Sequence, residues 1–223
     1  MGLPKIHRGG FSRRSAGDDM GIAVLLKQVP DTTAKISVSG GRVDESAVSK
    51  WSMSPYDEYA LESALQLKES GGGDLVAITC GPARAVKMLT DAAAVGADSL
   101  IHILVEDLSA LDSTQVQAIL AAAVAHSGSD IVFCGKQAAD TNAGSTGPGV
   151  AHLMDASCVT MVSEVTPDGG SLMAMRASPN GNERVSVSAP CVFAFDKGII
   201  ELRRPNVRGI MMAKKKVAET LGP

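Results

Sequence analysis

Four short runs, 21–27, 75–80, 99–105 and 130–134, are almost wholly apolar, and segments with apolar residues at helical spacing lie between them. Strands buried on both faces that alternate with helices require a mostly parallel sheet with helix layers on both sides. Ser54-Pro55 opens the first helix, with Ser54 as N-cap, Asp57 and Glu58 in the favourable first turn, and Gly71-Gly72-Gly73 as its stop. A second helix is predicted over 83–95 before Gly96, a third over 113–125 after the capping Asp112, and a fourth over 147–154. Ser39-Gly40-Gly41 marks a small hairpin between 36–38 and 42–44.

After His152 the pattern changes. Strand-like segments 159–165, 171–176, 184–187 and 191–195 are separated by Pro-Asp-Gly-Gly and Pro-Asn-Gly-Asn turns, which predicts antiparallel additions at the sheet edge. From Arg203 the apolar density falls, as in an arm leaving the domain. The expected organisation is a basic leader at 1–19, an α/β nucleotide-binding domain at 20–202 and a basic C-terminal arm at 203–223. The fold class is an open, mostly parallel, doubly wound sheet with antiparallel edge strands.

Composition narrows the function. With 223 residues, 45% hydrophobic, 20% charged and a net charge of −3, disorder throughout is excluded. The longest apolar run, Gly21 to Leu26, is far short of the roughly 20 residues of a membrane span, so no direct membrane insertion is expected. Aromatic residues are 3%, which argues against a nucleic-acid platform built on stacking. The four cysteines form no CxxC pair and suggest reduced thiols, not zinc. Lys5, Arg8, Arg13 and Arg14 make the leader basic, as in a mitochondrial presequence or a plain extension.

Ligands of open parallel sheets sit beyond the carboxyl ends of strands. Three segments occupy such positions: Lys27 to Asp31, Cys80-Gly81-Pro82, and the glycine-rich stretch Gly135 to Gly149. In the third, Ser145, Thr146 and Gly147 stand at a helix start, where free amides form an anion site. That stretch is neither a Walker loop nor a dinucleotide fingerprint, and the residues alone leave phosphate binding and a plain loop both open. Lys136 and Asp140 suggest either an acid–base pair or a salt bridge. No catalytic histidine, nucleophile elbow or paired carboxylate is evident.

Taken together, four segments resemble electron transfer flavoprotein beta subunits. They are Val24 to Asp31, Ser52 to Glu62, Gly135-Lys136-Gln137-Ala138 with Asp140 and Gly147-Pro148, and Gly209 to Lys216. The resemblance runs in order from about 20 to 216. It implies an electron carrier without substrate chemistry of its own, paired with an alpha subunit that holds most of the FAD. Such a pair takes electrons from flavin dehydrogenases such as acyl-CoA dehydrogenases and passes them to a quinone oxidoreductase, in a bacterial cytoplasm or mitochondrial matrix. A structural AMP is implied in the beta subunit, or a second FAD in bifurcating relatives. By position, Ala23, Ser54, Cys80, Asp140, Asn142, Ser145, Thr146 and Gly147 match the nucleotide site. Thr32, where the family has an aromatic, and Tyr56 match positions near the alpha-bound FAD. Arg203, Arg204, Val207 and Arg208 match the dehydrogenase-docking loop. Ser145-Thr146-Gly147 departs from the usual glutamine-containing loop, and many relatives continue with a tail that wraps the alpha subunit. The rival expectation is an adenine-nucleotide-binding enzyme or stress protein of related topology.

Overall fold

The apolar runs become the strands of one twisted sheet. The structure, a computed structural model, describes residues 21–198 and 200–223, so the basic leader lies outside the described residues. Strand β1 (Ile22–Leu25) precedes β2 (Gln28–Pro30), the hairpin β3 (Val38–Ser39) and β4 (Arg42–Val43), and β5 (Trp51–Met53), which pairs antiparallel with β2. Next come α1 (Pro55–Leu67), β6 (Leu75–Gly81), α2 (Val86–Val95), β7 (Ser99–Leu104), α3 (Ser113–Ser127), β8 (Ile131–Gly135) and α4 (Thr146–Leu153). Then follow β9 (Ser157–Asp168), β10 (Ser171–Ser178), β11 (Gly181–Val187), β12 (Cys191–Phe195), α5 (Val207–Ala213) and β13 (Glu219–Leu221).

Nine strands share the main sheet in the order β11-β10-β9-β12-β8-β1-β6-β7-β13. Every neighbouring pair from β9 to β13 is parallel, while β10 pairs antiparallel with β9 and β11. The late strands therefore correct the edge expectation in part. β12 lies between β9 and β8, parallel to both, and all of its residues are buried, as a strand covered on two faces must be. One side chain set, including Ile22, Val24, Phe133 and Phe193, packs under α1 and α2. The alternate set, including Ala23, Leu25, Val132 and Val192, packs under α3 and α4. The period-two alternation of strands produces these two cores.

From β1 the chain steps to β6 and β7, then α3 returns it to β8 on the other side of β1. The strand order thus reverses between β1 and β8, and a crevice opens beyond their carboxyl ends. Asp112 and Gln115 close a reciprocal capping box at the start of α3, which borders that crevice.

The C-terminal arm lies along the domain instead of leaving it. Gly209 of α5 meets the Ala94 carbonyl of α2 so closely that a Cβ would collide, and Ala213 is buried. Lys216 Nζ donates to the carbonyls of Ala97 at 2.5 Å and Asp98 at 2.9 Å, beyond the end of α2. β13 adds parallel to β7, and His126 Nε2 lies 3.0 Å from Glu219. Cations and a glycine make these contacts, so a low apolar density did not reveal them.

Candidate functional site

Beyond β1, β6 and β8 lies a cleft of about 220 Å³. Leu25, Leu108, Leu111 and Val116 give it an apolar wall. Lys27, Cys80, Asp57 and the loop residues Gln137, Thr141, Ser145 and Thr146 supply its polar side. A larger opening, about 490 Å³, lies at the opposite ends of the strands between Asp98, His126 and Lys216. Asp98 there is paired with Lys68, His126 with Glu219 and Lys216 with backbone carbonyls, so the crevice at the strand reversal is the candidate site.

At the centre of the crevice is Asp57. It belongs to the first turn of α1 but caps the sheet. Its Oδ2 accepts from the Lys27 amide at 2.7 Å and its Oδ1 from the Gly135 amide at 2.9 Å. The residue is 6% exposed, and burial pushes its pKa up to about 7 even though both amides favour the charged form. A Cβ at Gly135 would collide with that carboxylate, which explains the glycine. The sequence pattern accounted for Asp57 as a helix-dipole residue; its long-range role has no local signal.

The loop over the cleft is held at its tip by Lys27 Nζ, which lies 2.8 Å from both oxygens of Asp140. Each partner is about a third exposed, so this pair is worth about 0–1 kcal/mol. The two bonds to Asp57 are sheltered, and charge-assisted when the carboxyl is ionised, but the desolvation of the buried charge offsets their gain. Lys136 does not pair with Asp140; its Nζ binds Asp196 at 2.9 Å. Asn142 adopts a left-handed φ of 52° and accepts from Gln137 Nε2 at 2.8 Å, a contact within the loop.

Of the residues matched to the nucleotide site, Cys80, Ser145 and Thr146 line the cleft. Ala23 is fully buried in the core beneath it, and Leu25, two residues on, reaches the cleft from the same face of β1. Ser54 is fully buried, and its Oγ has no partner among the described residues. Gly147 faces inward: a Cβ there would lie 2.9 Å from Cys134 Sγ and 3.3 Å from Ala194 Cβ. Its glycine serves helix-to-sheet packing. No side chain caps α4, whose N-cap Ser145 and first residue Thr146 border the cleft. Burial raises the Cys80 thiol to about 11 and holds Cys134 higher still, so neither is an activated nucleophile. Among the described residues no cluster of His, Cys, Asp or Glu could hold a metal ion, and no helix is long and apolar enough to cross a membrane.

The other matched positions lie outside the cleft. Thr32 is exposed next to Asp31, whose carboxylate Thr33 and Lys50 hold well below the usual range. Tyr56 is half-buried, with Lys136 Nζ 5.1 Å and Lys197 Nζ 5.9 Å from its ring centroid. In the arm, Val207 is 76% exposed, and Arg204 and Arg208 are exposed. Arg203 is different. Its guanidinium holds the nearly buried Glu62 at 2.9 Å and Glu69 at 2.5 Å, which places it in the anchoring of the arm.

An open doubly wound sheet with a crevice at its strand reversal, apolar on one wall and bordered by the start of α4 on the other, is the α/β architecture in which ligands generally sit at that crevice. Residues 43–223 match the family model described as the electron transfer flavoprotein domain. Electron transfer flavoprotein subunit beta of Bacillus subtilis (strain 168) is 34% identical over 203 residues, covering 91% of this chain and 79% of the relative. The Homo sapiens protein of the same name is 35% identical over 210 residues, covering 92% and 82%. Acryloyl-CoA reductase electron transfer subunit gamma of Anaerotignum propionicum is 32% identical over 197 residues, covering 86% and 73%. The chain belongs to the electron transfer flavoprotein beta-subunit family.

Proposed function

We propose that this chain is the beta-type subunit of a heterodimeric electron transfer flavoprotein and holds one AMP as a structural ligand in the crevice. The observation that carries the nucleotide reading is the cleft itself, in a chain of this family. Its apolar wall of Leu25, Leu108, Leu111 and Val116 suits a base, and the start of α4 with Ser145, Thr146 and Lys27 suits a phosphate. These donors fit a mononucleotide, and a volume of about 220 Å³ favours one nucleotide unit over the two of FAD.

The flavin, held mostly by an alpha subunit, supplies the electron chemistry when bound. This chain's part is to cover that flavin from one side with the surface around Thr32 and Tyr56. Lys136, paired with Asp196, and Lys197 place two ammonium groups beside the Tyr56 ring on this surface. Val207, flanked by Arg204 and Arg208, is the anchor for flavin dehydrogenases such as acyl-CoA dehydrogenases. A quinone oxidoreductase or similar acceptor takes the electrons onward, in a bacterial cytoplasm or a mitochondrial matrix. The test is co-purification with an alpha subunit, followed by reduction of the bound flavin with an acyl-CoA dehydrogenase and its substrate. A stable complex that is reduced supports the reading. Failure to form a complex, or a complex that stays oxidised, overturns it.

A further inference from the structure

We propose that Asp57 is the positioning residue of the nucleotide cleft, a carboxylate clasp that sets the spacing between the ends of β1 and β8. The inference rests on the nucleotide reading of the cleft. The register of β1 and β8 runs through Leu25 opposite Cys134, and the next residues are where the two strands diverge. One carboxylate spans that divergence by accepting from Lys27 on one side and Gly135 on the other, at 2.7 and 2.9 Å. Each clasped residue roots one wall of the cleft. Lys27 carries the ammonium that reaches Asp140, and Gly135 begins the loop that ends at Ser145 and Thr146. Nothing bulkier than glycine fits opposite the carboxylate, since a Cβ at Gly135 would collide with it and would lie 2.7 Å from Tyr56 Cβ.

The chemistry of the clasp depends on charge. An ionised carboxylate accepts from both amides through separate oxygens, whereas a protonated acid or an asparagine turns a donor toward one of them. The groups facing it are Lys27 beyond β1, Asp140 in the loop and Cys134 at the end of β8. Burial raises the carboxyl to about 7, so the clasp changes state close to neutrality. Replacing the buried charge with a neutral amide removes its desolvation cost, so the variant loses geometry without a matching loss of stability. A merely structural hydrogen bond would lose both together.

The experiment uses the heterodimer with this chain isotope-labelled, and AMP as the probe. In the native protein the Lys27 and Gly135 amide resonances are expected to titrate together with one midpoint near neutrality. In Asp57→Asn that shared titration is expected to disappear, and AMP to bind about tenfold more weakly. Above about pH 7, where the native carboxyl is charged, the melting temperature of the AMP-free variant is expected to be equal or higher. Unchanged AMP affinity in Asp57→Asn overturns the proposal, as does a loss that only follows a lower melting temperature. So does the absence of a shared titration in the native protein, a measurement that needs no variant to fold. If native protein binds no AMP, the nucleotide reading fails, and the amide titration decides the clasp by itself.

Discussion

Asp57 and Gly147 show how differently single residues act in the same crevice. Asp57 has its carboxyl raised from 3.8 to about 7, so its contribution to stability is full below the unfolded value and is lost as pH rises through about 7. Asp57→Asn should therefore flatten the decline of melting temperature between about pH 4 and 7; an unchanged slope would show that this carboxyl is not the titrating group. Gly147 has no such charge. A Cβ at Gly147 presses on Cys134 and Ala194, so Gly147→Val should cost about 1–3 kcal/mol by overpacking. Urea unfolding should show that loss equally with and without added AMP. A loss seen only with AMP present would mean that the glycine faces the ligand after all. The glycine was legible in the sequence, but its direction was not, because a loop pattern does not say which side of a residue meets the sheet. Ala23 illustrates the same limit: strand alternation places Ala23 and Leu25 on one face, yet only the end of β1 reveals which one reaches the opening.

Among the elements, those with local causes were the legible ones. The Asp112 cap of α3, the proline start of α1 and the apolar runs of β1, β6, β7 and β8 all appear where their patterns place them. β12 was misjudged because neighbouring turn signals suggested a meander, although its unbroken burial is the mark of an interior parallel strand. The arm was misjudged because its anchoring is polar. Arg203→Gln leaves the nearly buried Glu62 without its cation and should cost about 1–3 kcal/mol, discounted for the exposure of the arginine. Adding Glu62→Gln should restore part of that loss in urea unfolding; strict additivity would mean that the pair does not couple. Arg204→Gln with Arg208→Gln, both exposed, should leave stability unchanged. That pair should slow electron transfer from a dehydrogenase at low salt and flatten its ionic-strength dependence. A native rate at every salt concentration would remove these two cations from the docking surface.

At the scale of the molecule, the parallel sheet places three chain-distant segments around one crevice: the end of β1, the end of β6 and the loop after β8. The family membership is that of an electron-transfer subunit, and the crevice is where we propose its nucleotide. The sequence made the existence of this crevice legible through its alternation, and the loop made its polar wall legible. Asp57 at the centre escaped notice because its partners are 30 and 78 residues away. The direct measurement is the nucleotide content of the heterodimer, denatured after purification and separated by chromatography. One AMP together with one FAD per heterodimer is the expected result. Two FAD with no AMP, or no nucleotide beyond the single FAD in a well-folded complex, would contradict the assignment of this cleft.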